Sequence, residues 1–202
     1  MRLKQEEMEF IIFKIKDMAI KKEYKEYKSK SDVLYRDFVE FRRSIPENAE
    51  DIDLNFLSMR ILKVFYGIDL KDARKLKEAE STVLLENINK ALGEPVNEFK
   101  NIIVMGGVQY GFIPNFQEIT TGELIDLDAT LANEDFISLT SILFRPIVGE
   151  INKLGQYRIE PYNGYDDKFK DVSLDIVEGY MSLFTKSFHH LKPLIKESTT
   201  QK

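Results

Sequence analysis

FQEITTGELIDLDATLANEDFISLTSILFRP, residues 116–146, concentrates turn, cap, apolar and acidic signals more densely than any other part of the chain. Thr120-x-x-Glu123 has the form of a capping box, in which the threonine hydroxyl accepts the backbone N–H three residues on while the glutamate reaches back to the cap N–H. A short helix is therefore predicted to start there. Asn133 is expected to cap a second helix, with Glu134 and Asp135 in a first turn where the helix dipole favours negative charge, and Pro146 to stop it. Phe136, Ile137, Leu139, Ile142, Leu143 and Phe144 leave only Ser138, Thr140 and Ser141 as polar positions, so this second helix should be enclosed by others.

Around this stretch, Asn101 to Phe144 contains no Lys or Arg, whereas Glu118, Glu123, Asp126, Asp128, Glu134 and Asp135 all fall inside it. Six carboxylates without a local cation repel one another, and a basic partner surface would offset that cost. We read Glu118, Glu123, Asp126 and Asp128 as a contact surface. Asp126 and Asp128 with Glu123 offer oxygen ligands, but their spacing fits no calcium loop, so no metal is expected there. Arg145, next to Pro146, could reach a carboxylate bidentately; the plainer reading is a helix-end cation facing the last carbonyls.

Towards the C-terminus, Tyr157-Arg158-Ile159 alternates like a short strand, Pro161 confines it to an edge, and Asn163-Gly164 signals a turn, giving a short hairpin or extended loop. Val172, Ile176, Tyr180, Leu183, Phe184, Phe188, Leu191 and Ile195 then follow a three-to-four spacing that predicts a long final helix, ahead of a loose tail at residues 198–202. In the other direction, Gly106-Gly107, Gly111 and Pro114 suggest an irregular packed connection, and residues 96–105 a further helix. Leu54, Leu57, Ile61 and Phe65 share one helical stripe that Gly67 can end. Asp69 can cap a following helix carrying Leu76, Val83, Leu84, Ile88 and Leu92 up to Gly93 and Pro95, so residues 53–92 should form a helical hairpin.

Ser31 or Asp32 can cap a helix with Val33, Phe38 and Phe41 that ends before Pro46, and residues 45–51 read as a linker. In residues 3–28, Met8, Ile12, Ile15 and Ala19 recur at helical spacing; Ile11-Ile12 and the alternation of Phe13 and Ile15 also fit a strand, and we adopt the helix. The charged run at residues 21–30 reads as a solvated helix face or arm, whose Tyr24 and Tyr27 offer partner contacts. The resulting organisation is a basic N-terminal helical arm (1–46), a helical core domain (47–197) and a flexible tail (198–202). The fold class expected is mainly α, with one short β-hairpin or extended loop.

Residues 1–43 hold three more basic than acidic side chains, and the remainder eight more acidic than basic, for a net charge of −5. Neither part has the basic density of a duplex-binding surface, so nucleic acid is not expected as a partner. The apolar residues 8–20 are interrupted by Glu9, Lys14, Lys16 and Asp17 and are not a membrane span. Absence of Cys excludes disulfides, thiolate ligands and Cys nucleophiles. His189 and His190 are adjacent, so on a helix they point about 100° apart and cannot ligate one metal from a single face. Gly106-Gly107-Val108-Gln109-Tyr110-Gly111 lacks the spacing of a dinucleotide fingerprint and the Lys-Ser/Thr of a P-loop. No Gly-x-Ser-x-Gly elbow is present and no carboxylate pair stands out, so neither a catalytic set nor a cofactor is expected.

MRILKVFYGID (59–69), GFIPNFQEITTGELIDLD (111–128), SILFRP (141–146) and YRIEPYNG (157–164), in this order and approximate spacing, resemble a group of tailed-phage proteins, particularly of crAss-like podophages. Such phages build tails from stacked protein rings and also package cargo proteins. The resemblance implies a non-enzymatic structural component of the virion, in the tail or portal-proximal ring assembly, partnered by other phage structural proteins and forming a homo-oligomer. It also admits a cytosolic assembly chaperone or a packaged cargo protein. Segregation of the basic N-terminal part from the acidic body favours a head-to-tail contact over one that places like patches together.

Overall fold

The computed structural model describes residues 24–46, 53–95 and 98–184. The expected helix over residues 3–28 lies almost wholly outside these, as do His189, His190, the final helix beyond residue 184 and the tail. The chain forms two compact units, the first comprising Met1–Val33 and Asp37–Glu94, the second Leu34–Arg36 and Pro95–Lys202.

In the first unit, helix α1 (Tyr35–Arg43, of which the residues from Asp37 belong here) is followed by α2 (Leu54–Tyr66), a single turn α3 (Leu70–Ala73) and α4 (Glu78–Leu92). Asp53 caps α2 by accepting the Asn55 N–H. Gly67 ends it at φ 63°, a left-handed conformation open to glycine without a Cβ penalty, and the N–H groups of Gly67 and Ile68 close on Lys63 and Leu62 carbonyls. The hairpin expected over 53–92 is present, but its second arm is broken after Ala73: Lys77 is extended, and Leu76 turns in against Leu62, Ile68, Ala73 and Leu84. Partial burial of that leucine offsets some of the helical bonds forgone at the break.

The second unit corrects the expectation of a mainly α fold. It contains a four-stranded antiparallel sheet in the order β1 (Ile102–Met105), β2 (Val108–Phe112), β3 (Phe144–Val148), β4 (Arg158–Ile159), with helices α5 (Thr121–Ala132), α6 (Phe136–Leu143) and α7 (residues 174–184). The protein is therefore mixed α and β. The helix expected over 96–105 is replaced at its C-terminal end by β1. Gly106 and Gly107 take φ 56° and 78°, the signature of a type I′ turn, whose twist matches paired strands, and Met105 lies opposite Val108. The glycines make a hairpin rather than an irregular connection, and the β-branched Ile102, Ile103 and Val104 fit a pleated strand better than a helix.

Two boundaries in the 116–146 stretch also differ from expectation. Asn133 ends α5 instead of starting α6; Glu134 follows at φ 53°, and Asp135 caps α6 by accepting the Ser138 N–H at 3.1 Å and the Ser138 hydroxyl at 2.6 Å. Pro146 is no helix stop, since α6 ends at Leu143 and the chain passes directly into β3. Its influence is felt one residue upstream, where the proline ring disfavours helical Arg145 and selects an extended conformation.

The core of this unit lies between one face of the sheet and helices α5, α6 and α7. Phe112 and Phe144 stack edge to face at 5.2 Å, and Tyr180 of α7 stands 6.4 Å from Phe144. The buried Tyr180 hydroxyl donates to the Phe136 carbonyl at 3.0 Å and lies 3.0 Å from the Thr140 hydroxyl, so the helix without a polar face is enclosed, as its composition required. Among the described residues no helix is long and apolar enough to cross a membrane.

Candidate functional site

The opposite face of the sheet carries a cleft of about 520 Å³. Antiparallel pairing sets Ile102 beside Gly111, Gly111 beside Arg145, and Ile147 beside Ile159, so these side chains share the face that is turned away from Phe112 and Phe144. Arg145 forms the floor. The segment from Pro114 to Glu123 makes one wall, and Tyr157 to Tyr162 the other.

Glu123 is the best-anchored group in the cleft. Its Oε2 accepts the Thr120 N–H at 2.7 Å while its own N–H donates to Thr120 Oγ1 at 3.2 Å, which is the predicted capping box. The other carboxylate oxygen, Oε1, stands 2.8 Å from Arg145 Nη1, with the two side chains only 4% and 13% exposed. The contact lacks the directionality of a hydrogen bond, and among the described residues Arg145 Nε is buried without an acceptor. Arg145 thus meets a carboxylate from a strand, through one nitrogen, and does not face helix-end carbonyls. Glu123 is thus held by the Thr120 N–H on one oxygen and by the Arg145 guanidinium on the other, and the ion pair is a fixed part of the cleft wall.

The tyrosines complete the walls. The Tyr157 hydroxyl reaches the carbonyls of Asn101 (2.9 Å) and Phe112 (3.0 Å), so its ring lies flat across Gly111. A Cβ on Gly111 would come within 2.2 Å of that ring. Tyr162 donates to Asp126 Oδ2 at 2.7 Å. Burial raises the phenol pKa of both, and for Tyr162 the hydrogen bond to Asp126 adds to the effect, so both remain neutral donors. Gly111→Ala is expected to expel the Tyr157 ring and to cost roughly 1–3 kcal/mol, the usual range for overfilling a packed site. Urea unfolding reads the loss, and the additional change Tyr157→Ala should restore part of it by emptying the space.

Of the residues singled out from sequence, Glu118 and Glu123 line the cleft together with Arg145, and Glu118 accepts from Asn115 Nδ2 at 2.8 Å. Asp126 supports the Tyr162 wall, whereas Asp128 is exposed on α5 away from the cleft. Tyr24 and Tyr27 belong to the first unit. There Tyr27 is 2% exposed, donates its hydroxyl to the Phe65 carbonyl, and exchanges backbone bonds with the Asn87 side chain. Burial pushes its phenol up to about 12, and its part is to hold the first unit together. Sequence reasoning missed Gly111, Tyr157 and Tyr162; the one available signal was a pair of tyrosines flanking Pro161 beside a strand.

Among the described residues no group of three or more His, Asp or Glu side chains converges to hold a metal. No family model matches this chain, and neither a curated protein nor a solved structure does.

Proposed function

We propose that this protein is a non-enzymatic structural component of a tailed-phage particle, in the tail or portal-proximal assembly, where it contacts other phage structural proteins and copies of itself. One observation carries the reading: of the four segments in which the chain resembles tailed-phage proteins, the three at 111–128, 141–146 and 157–164 meet in one cleft. They are separate segments of the chain, and a shared binding surface accounts for their occurring together. The walls suit a protein partner, because two rings, two prolines and charges of both signs offer apolar contact together with register.

Mass spectrometry of particles purified from an infection that expresses the chain tests this. Recovery in fixed proportion to the tail proteins is expected. Abundance in the lysate with absence from particles would instead make it an assembly chaperone, and recovery at variable, low copy number would make it cargo. A companion measurement is incorporation of Arg158→Glu, an exposed change at the cleft rim, which should fall while the fold persists.

A further inference from the structure

β1 is an edge strand of the sheet, and among the described residues no strand pairs with its outer side. Natural proteins blunt such edges with lysine, proline, bulges or inward charges, because an open row of N–H and C=O groups templates pairing with another chain. β1 reads Ile-Ile-Val-Met, and no charged residue occurs from Asn101 to Gln117. Val104 is 63% exposed, with Val108 across the turn also open to solvent.

Register decides which backbone groups are free. The Phe112 N–H donates to the Asn101 carbonyl, and Ile103 lies opposite Tyr110. Hydrogen-bonded pairs alternate along an antiparallel ladder, so Ile103 and Met105 spend their N–H and C=O on β2, while those of Ile102 and Val104 point outwards. Among the described residues no other backbone group bonds them.

We infer that the β1 edge pairs antiparallel with β1 of a second copy of this chain, Ile102 opposite Val104 of the partner copy and Ile103 opposite its counterpart across a two-fold axis. This register is self-complementary: each strand offers two outward residues at a spacing of two, and all their donors and acceptors are used, giving four hydrogen bonds and a continuous eight-stranded sheet. Charge points to the same occupant. On a chain of net charge −5, two copies repel almost wherever acidic surfaces meet, but this strip brings no like charges together. The head-to-tail preference drawn from charged patches does not bear on an uncharged edge, and a two-fold contact here leaves those patches free. A four-residue ladder is small beside a standard interface, so the pairing depends on concentration and is favoured where copies are crowded. The inference holds whether or not the chain is a particle component.

Sedimentation velocity of the full-length chain over a range of concentrations is the test. A dimer that builds up with concentration is expected. Val104→Lys, which places a charge on the edge, and Val104→Pro, which removes an outward N–H without touching the bonds to β2, should each weaken it by roughly tenfold or more. Leu154→Lys, at an 82% exposed loop position, should leave it unchanged. Circular dichroism should be the same for all three variants. A wild-type chain that stays monomeric at the highest concentration overturns the inference, as does a dimer indifferent to both changes at Val104. Loss through Val104→Lys alone also overturns it, since that result describes an apolar patch and not a ladder.

Discussion

Arg145→Met should destabilise the second unit by about 3–5 kcal/mol, the usual cost of leaving a buried charge without its partner. Glu123 would keep the Thr120 N–H on Oε2 but lose the cation beside Oε1, and at 4% side-chain exposure water cannot replace it. The lost charge, not the lost volume, is the cause, because methionine retains most of the arginine stem. The double variant Arg145→Met with Glu123→Gln should therefore recover most of the loss: the glutamine keeps an acceptor for Thr120 and carries no charge. Urea unfolding of wild type, both singles and the double gives the coupling directly. If the double is as unstable as the single arginine variant, the pair is not what holds the α5 N-terminus to β3.

Phe144→Ala should cost a similar amount, about 3–5 kcal/mol, for a different reason. Phe144 is 1% exposed at the point where α6 becomes β3, and it touches both Phe112 on the neighbouring strand and Tyr180 on α7. Truncation opens a cavity that neither the hydrogen-bonded sheet nor the anchored Tyr180 can move to fill. Phe144→Leu, which keeps most of the volume, should cost less than about 1.5 kcal/mol. Because two units in one chain need not unfold in a single step, the effect is best located by hydrogen exchange. Amides of β2 and β3 should lose protection with the stability of their unit, and unchanged protection there would contradict the central place of Phe144 in its core.

The 116–146 stretch separates what is readable locally from what is not. Its capping box, the burial of α6 and the left-handed Gly67 after α2 follow from the sequence alone, because each depends on residues within one or two turns of one another. The sheet did not follow. Ile102–Met105 is compatible with helix or strand on its own, and it becomes a strand because the Gly106-Gly107 turn returns the chain as β2 and β3 then pairs with that strand. The position of Pro146 in β3 likewise depends on a partner over thirty residues away. The same holds for the cleft. A carboxylate at 123 and a guanidinium at 145 are both visible in the sequence, but the ion pair exists only because α5 begins over the sheet face that presents Arg145. Gly111 and Tyr157 are ordinary residues until the fold lays one across the other. By itself, then, the sequence determined the Thr120–Glu123 capping box and the Gly67 helix end, the apolar helix that had to be enclosed, and the acidic stretch free of bases. Tertiary structure alone decided the sheet, the cleft and the open β1 edge, because hydrogen bonds between distant segments set strand register, and register sets which side chains share a face.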